Sequence, residues 1–191
     1  MKKGLLIILS GPSGVGKGTV RRYIMDNFKI NFSYSISMTT RLPREKEVDG
    51  VDYYFVTPEE FQRNIDEGNF LEWEEFVGNR YGTPKSKVEE LRNKGKNVFL
   101  EIEINGAMKV MSQVNDDRVI SFFLMPPNES ALENRIRRRK TESEEVIQER
   151  LQKGIKEMDM ASHYDHVVLN DSVARASQEI VDLIKAKQKQ K

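Results

Sequence analysis

The chain contains no cysteine, which excludes a disulfide framework, a thiolate zinc site and a cysteine nucleophile. Histidine is nearly as scarce. The two present, His163 and His166, stand three apart and read as surface or helix-end residues rather than metal ligands. Long apolar runs are missing as well. The longest aliphatic run, Leu5-Leu6-Ile7-Ile8-Leu9, is too short for a membrane span or a signal-peptide core. Charge of one sign is not in excess: 31 Lys and Arg against 30 Asp and Glu leave a net charge of +1. That balance argues against a nucleic-acid binder. No Asn-Lys-x-Asp motif follows a late strand, which counts against a GTPase. There are no repeats and no long linker. At 191 residues the chain is expected to form one core without staples, to be cytoplasmic, and to meet neither membrane nor nucleic acid.

What is present alternates between strands and helices. Leu5-Leu6-Ile7-Ile8-Leu9 is continuously apolar and ends at Ser10-Gly11-Pro12, as a strand buried on both faces should. A helix is expected over 19–28. Phe32, Tyr34 and Ile36 alternate with Ser33, Ser35 and Ser37, which predicts a half-buried strand with a hydroxyl face. Strands follow over 53–56 and 70–77, separated by a short helix with Thr57 as N-cap, Pro58 at N1 and Glu60 in a capping box. Residues 78–82 read as a loop, and Thr83-Pro84 as the cap of a helix that stops at Gly95. Further strands are expected over 97–103, 118–125 and 166–169. Helices are expected over 105–113, 129–139 and 142–160, the last with a capping box of Thr141 and Glu144. Val173, Ser177, Ile180 and Ile184 set a final helical stripe, with a frayed tail from Lys185. The whole is an α/β pattern with a parallel sheet. Two stretches break it: 33–83, read as a small mixed-sheet insertion, and 127–151, read as an arginine-rich helical flap.

Gly11-Pro12-Ser13-Gly14-Val15-Gly16-Lys17-Gly18-Thr19 places a G-x-x-x-x-G-K loop between a buried strand and a helix. Such glycines let backbone N–H groups turn around phosphate oxygens, Lys17 adds a point charge, and the helix N-terminus adds its dipole. Strand, spacing, lysine and helix coincide, so the loop marks an ATP site. Gly18 departs from the motif, which expects a Ser or Thr there as a Mg²⁺ ligand. Thr19, one place later, is the remaining hydroxyl and would act through water.

The acceptor is expected in the insertion. Arg41 and Arg44 stand three apart in Thr39-Thr40-Arg41-Leu42-Pro43-Arg44, and arginine grips phosphate bidentately. Ser37, Tyr53 and Tyr81 are donors in the same stretch. Glu72 lies in Phe70-Leu71-Glu72-Trp73, where a carboxylate needs a partner. Two further acids, Glu101 and Glu103, end a strand on one face. Arg135, Arg137, Arg138, Arg139 and Lys140 form a basic cluster, with Arg150 beyond it. Arg135 and Arg139 share a helix face, and Arg137 and Arg138 are expected to face solvent.

Taken in order, 35–44, Gly50-Val51-Asp52-Tyr53-Tyr54-Phe55, Phe70-Leu71-Glu72-Trp73 and Gly78-Asn79-Arg80-Tyr81-Gly82-Thr83 resemble the guanylate kinase family. The resemblance runs from Gly4 to about Ile184. It implies a three-layer P-loop fold with core segments 4–32, 84–126 and 152–187, a GMP-binding region 33–83 and a lid 127–151, leaving a frayed tail at 188–191. It implies MgATP-dependent phosphorylation of GMP for guanine nucleotide synthesis and recycling. Arg41, Arg44, Tyr53 and Tyr81 would then hold the GMP phosphate, and Ser37, Glu72, Thr83 and Glu103 would read guanine. Arg135, Arg139 and Arg150 would approach the ATP phosphates from the lid. Asn170 would touch adenine, although Asn170-Asp171 is equally a turn-forming pair. The family more often has Asp where Glu103 stands, so Glu101 and Glu103 divide between metal and guanine in either order.

The chemistry agrees with the resemblance. Guanine offers N1–H and N2–H₂ to a carboxylate and O6 to a hydroxyl, whereas adenine presents an unprotonated N1. Nothing named here reads a ribose 2′-hydroxyl, so dGMP is expected as a second acceptor. A peptide-binding module of the same fold would not need an intact Gly11, Gly16 and Lys17. A ribose-phosphate kinase would not need Ser37, Glu72 and Thr83.

Overall fold

The apolar run at the start of the chain is wholly buried because it lies in the middle of a sheet. A computed structural model describes residues 2–76, 78–138 and 143–189. In chain order the elements are β1 (Leu6–Ser10), α1 (Lys17–Asn27), β2 (Phe32–Tyr34), β3 (Met38–Thr39), β4 (Tyr54–Phe55), α2 (Pro58–Asp66), β5 (Phe70–Phe76) and β6 (Asn79–Pro84). They continue as α3 (Lys85–Asn93), β7 (Asn97–Glu101), α4 (Ile104–Gln113), β8 (Val119–Met125), α5 (Glu129–Arg137), α6 (Glu144–Met158), a 3₁₀ turn (Asp159–His163), β9 (His166–Leu169) and α7 (Val173–Lys189).

Five strands form one parallel sheet in the order β2-β7-β1-β8-β9. Strand residues point alternately to its two faces. Leu5, Ile7 and Leu9 pack with Val20 and Ile24 of α1 and with Ile180 and Ile184 of α7. Leu6 and Ile8 pack on the other face with Val88 of α3 and Ala107 and Val110 of α4. The result is a three-layer α/β arrangement, as the alternation predicts. Four further strands make a mixed sheet in the order β4-β3-β6-β5. Leu132 and Ile136 of α5 meet Ile147 and Leu151 of α6 in a separate small core. No helix among the described residues is long and apolar enough to cross a membrane.

Several local expectations change. The alternation from Phe32 does not make one strand: β2 pairs with β7 of the parallel sheet, and β3 pairs with β4 and β6 of the mixed one. Phe32 stays behind in the core, edge-on to Phe99 at 5.9 Å, so the hydroxyl face is split between sheets. Residues 79–82, expected in a loop, lie in β6, which pairs antiparallel with β5 from Asn79 opposite Phe76 to Pro84 opposite Phe70. Thr83 belongs to that strand and does not cap α3. Its hydroxyl bonds to Glu72, and Pro84 occupies the N-cap position. Strand β7 stops at Glu101, leaving Glu103 as the N-cap residue of α4 rather than on a shared strand face. Ser143, whose hydroxyl accepts from the Val146 N–H, caps α6, and Glu144 is its first residue; Thr141, expected to share a capping box with Glu144, lies outside the described residues. Lys185, expected to start a frayed tail, stays helical, and α7 runs to Lys189. The Thr57 cap is as expected: its hydroxyl accepts from the Glu60 N–H at 3.2 Å.

The end of the sheet away from the glycine-rich loop is tied by a wholly buried arginine. Arg92 donates to Gly4 O at 3.2 Å and Arg118 O at 3.3 Å, and pairs with Glu89 at 2.6 Å and Asp116 at 2.8 Å. Lys3 joins the same two acids. These bonds fasten the end of α3 to the starts of β1 and β8. Removing one partner of a buried pair usually costs about 3–5 kcal/mol, and less where the other partner is part-solvated. Glu89 and Asp116 are part-solvated, so Arg92→Ala should lower stability by about 2–3 kcal/mol. A lowered urea midpoint at unchanged slope is the expected reading.

Candidate active site

The loop after β1 lies at the carboxyl ends of the parallel strands, where β7 and β8 flank β1 on opposite sides. In open parallel sheets ligands bind in that crevice. Gly11, Gly14 and Gly16 have φ of 145, 86 and 103°, which glycine alone adopts without strain. Lys17, expected to face phosphate, is buried and donates to Gly11 O at 2.7 Å and Pro12 O at 3.3 Å. Val15 O accepts from Asn170 Nδ2 at 2.8 Å and from Arg135 Nη1 at 2.9 Å, while Arg135 Nη2 donates to Asn170 O at 2.6 Å. Arg150 Nη2 donates to Ser13 Oγ at 2.8 Å. Two of the flap arginines thus reach the loop. Arg135 braces it through carbonyls, and Arg150 through a hydroxyl. Asn170 is buried behind the loop with Oδ1 unpartnered. Arg139 lies outside the described residues. Arg137 is tied to Glu133 and Glu144, and Arg138 is exposed.

A cavity of about 360 Å³ opens in front of the loop, with Ser13, Lys17, Thr19, Arg22, Glu101 and Glu103 among its walls. Glu101 Oε2 accepts from Arg21 Nε at 2.7 Å. A Cβ on Gly18 would lie 3.3 Å from Glu101 Oε1, so a serine or threonine there would need the carboxylate to give by a few tenths of an ångström. Glu103 Oε1 is 3.4 Å from Lys17 Nζ. The two acids therefore both serve the loop side, one through α1 and one through the lysine. Among the described residues no group of three or more His, Asp or Glu side chains forms a metal cage. One hydroxyl and a carboxylate on a phosphate cavity instead suit Mg²⁺, which keeps waters and takes most of its other ligands from substrate phosphates.

The insertion gathers a second set. The Arg41 guanidinium stands 5.4 Å from the centre of the Tyr53 ring and 5.8 Å from that of Phe55. The Tyr53 and Tyr81 rings are 6.1 Å apart. Arg41, Tyr53 and Tyr81 are thus brought together, and Arg44 is exposed beside them. Glu47, absent from the sequence reading, pairs with Arg41 at 2.8 Å. Its position three after Arg44 in a basic turn is the signal that could have found it.

The Glu72 carboxylate is buried, and Oε1 accepts the Thr83 hydroxyl at 2.5 Å from the neighbouring strand. Its other oxygen would lie 3.0 Å from a Cβ on Gly106, so only glycine in the first turn of α4 leaves it room. Gly106 was also missed. Burial raises the Glu72 carboxyl above the ordinary carboxylate range, against the Thr83 hydrogen bond, which lowers it. Ser37 is half-buried on the adjoining segment, its carbonyl accepting from the Tyr54 N–H at 2.9 Å.

The family model for guanylate kinase matches residues 3–187. The chain is 52% identical over 183 residues to a guanylate kinase of Listeria monocytogenes, covering 96% of this chain and 88% of that one. It is 50% identical over 182 residues to a guanylate kinase of Mesoplasma florum, covering 95% of this chain but 61% of the relative's length. Among solved structures, the crystal structure of guanylate kinase from Anaplasma phagocytophilum superposes with a TM-score of 0.74 at 32% identity, covering 100% of this chain and 89% of that one.

A raised folded-state pKa at Glu72 means that the folded chain holds this proton more tightly than the unfolded chain does. Stability is therefore lost as pH rises through that pKa. Glu72→Gln removes the cost of burying the charge. The variant should melt about 2–4 °C above the parent at pH 8 for each kcal/mol removed, and the gain should shrink as pH is lowered through the raised pKa. Thermal melts of both chains across pH check this.

Proposed function

The chain belongs to the guanylate kinase family, and we propose that it transfers the γ-phosphoryl group of ATP to GMP and dGMP, giving ADP and the nucleoside diphosphate. The carrying observation is one juxtaposition. The Lys17 loop and the Glu72–Thr83 pair flank the junction of β7 and α4, with Glu103 at 3.4 Å from Lys17 and Gly106 beside Glu72. A donor-phosphate site and a buried carboxylate–hydroxyl pair thus face each other across four residues. The reading assigns 33–83 to GMP, 127–151 to a lid, and 4–32, 84–126 and 152–187 to the ATP-binding core, in a cytoplasmic enzyme that recycles guanine nucleotides.

The roles follow from charge and hydrogen-bonding capacity. Glu72 accepts from guanine N1–H and N2–H₂, and Ser37 and Thr83 serve O6. Arg41, Arg44, Tyr53 and Tyr81 hold the acceptor phosphate in line. The loop from Gly11 to Thr19 and the Lys17 ammonium hold the β- and γ-phosphates. Arg135, Arg139 and Arg150 neutralise the charge spread over the transferred group. Thr19 and Glu101 would hold Mg²⁺ through water, and the metal would supply charge neutralisation at the donor phosphates. The acceptor is already an anion, so no strong base is required, and catalysis is positioning plus electrostatic stabilisation. Lid closure excludes water and suppresses hydrolysis. For dGMP the support is that none of the assigned groups needs a 2′-hydroxyl.

The test is ADP formation from MgATP with GMP, dGMP or AMP. GMP and dGMP should both turn over, and kcat/KM for AMP should be lower by about 10⁴-fold, since the wrong base leaves buried polar groups unpaired. Comparable use of AMP would remove Glu72 from base reading. Lys17→Ala should abolish turnover with every acceptor. Arg150→Ala should lower kcat by on the order of 10³-fold with the GMP KM little changed. An effect confined to KM would leave Arg150 as a brace of Ser13 alone.

A further inference from the structure

One carboxylate in the insertion joins the two arginines assigned to the acceptor phosphate. Glu47 Oε2 accepts from Arg41 Nη1 at 2.9 Å and Oε1 from Arg41 Nη2 at 2.8 Å. The same Oε2 accepts the backbone N–H of Arg44 at 2.8 Å, and the Glu47 N–H donates back to Arg44 O at 3.0 Å. Both Arg41 and Glu47 are largely covered, with side chains 16% and 19% exposed.

A guanidinium carries five N–H groups. Those of Arg41 Nη1 go to Leu42 O and Glu47 Oε2, and one of Nη2 goes to Glu47 Oε1. Among the described residues no carboxylate or carbonyl takes the Nε–H and the second Nη2–H, which lie side by side on one edge. A two-pronged edge of that kind fits a phosphate. The Tyr53 and Phe55 rings lie by the guanidinium, and the Tyr81 side chain stands next to it.

The structure assigns Glu47 the part of a positioning residue. It takes up the far edge of Arg41 and clamps the turn of Arg44, so that the free edge of Arg41 is presented to the acceptor phosphate at a fixed spacing from Arg44. This deepens, and rests on, the GMP reading of the site. The arrangement opposes a simpler electrostatic expectation. An acid beside a phosphate site weakens it by like charge, and a carboxylate gripped by Arg41 is itself shaped like the ligand. If Glu47 only occupied the site, losing its charge would tighten GMP binding. If it positions Arg41, losing its acceptors weakens binding, because misplacing a positioned group by about 1 Å can cost about 10²-fold. The two roles therefore predict opposite signs.

The experiment is steady-state kinetics on the full chain and on Glu47→Ala, Glu47→Gln and Glu47→Asp, varying GMP at saturating MgATP and MgATP at saturating GMP. Glu47→Ala should raise the GMP KM by about tenfold or more, with kcat and the ATP KM little changed. Glu47→Asp and Glu47→Gln, which keep acceptor oxygens, should recover part of the loss. A GMP KM unchanged in all three variants would overturn the assignment, as would a lowered GMP KM in Glu47→Gln. A parallel rise in the ATP KM would mark a general structural defect and would overturn it too. Should the alanine variant not fold, the Gln and Asp variants give the sign by themselves. Failure of the parent chain to turn over GMP would instead overturn the function proposed above, and the two failures are distinguishable on that ground.

Discussion

A loop that turns its amides toward phosphate must send its carbonyls elsewhere, and buried carbonyls need donors. That requirement organises one end of this protein. Gly11 O and Pro12 O are met by Lys17, and Val15 O by Asn170 and Arg135. The donors come from α1, from the residue following β9 and from α5. Satisfying one short loop therefore ties the sheet, the last strand and the flap together. In the proposed reaction Lys17 would have two states of similar character: the inward one seen here, bonded to carbonyls, and one turned to a donor phosphate. Moving between them exchanges one set of charge-assisted bonds for another, so phosphate binding does not have to strip a lysine of water alone.

The proposed base pocket is governed by the opposite constraint. A carboxylate that discriminates guanine from adenine must be shielded from water, because in water either base finds partners. Shielding raises the cost of its charge. Here one oxygen is offset by the Thr83 hydroxyl and the other is left against the backbone of Gly106. The free protein carries a partly satisfied acid where the acceptor base would complete the set. Stability given up at the site and specificity gained there arise from the same desolvation.

The core was legible because its signals are local. Leu5-Leu6-Ile7-Ile8-Leu9 reads as a buried strand before any neighbour is known, and the glycine spacing after it reads as a phosphate loop. Where sequence reading failed, partners distant in the chain decided the outcome. Asn79-Arg80-Tyr81-Gly82 has neither an apolar period nor high strand propensity. It becomes a strand through pairing with β5. Thr83-Pro84 has the composition of a helix cap, but the hydroxyl is taken by Glu72, eleven residues earlier. Arg92 looks like one more surface arginine in a helix with 32% charged residues around it in the chain, yet it is wholly buried among carbonyls from two strands and two acids. In the candidate site, the residues assigned to substrate were named from their chemistry. Glu47 and Gly106, which hold such residues in place, were not named: the one signal for Glu47 was its place in a basic turn, and a glycine in a helix carries none without its neighbours.

The two ends of the proposed reaction are joined through very little chain. Glu101 faces Arg21 and Gly18, Glu103 faces Lys17, and Gly106 touches Glu72. The segment from the end of β7 to the first turn of α4 thus touches the loop side at two alternate residues and the base side one helical turn later. Because β7 pairs directly with β1, this junction is held to the same central strand that ends in the phosphate loop. The Glu72–Thr83 pair stands on β5 and β6 of the mixed sheet, and it meets this junction where Glu72 reaches Gly106. In the proposed reading the mixed-sheet region carries the whole acceptor, with Glu72 and Thr83 for the base and Arg41, Tyr53 and Tyr81 for the phosphate, while the parallel sheet carries the donor loop. In-line transfer depends on the spacing of the donor and acceptor phosphates, so a fixed donor end and a separately carried acceptor end are what a closing active site requires.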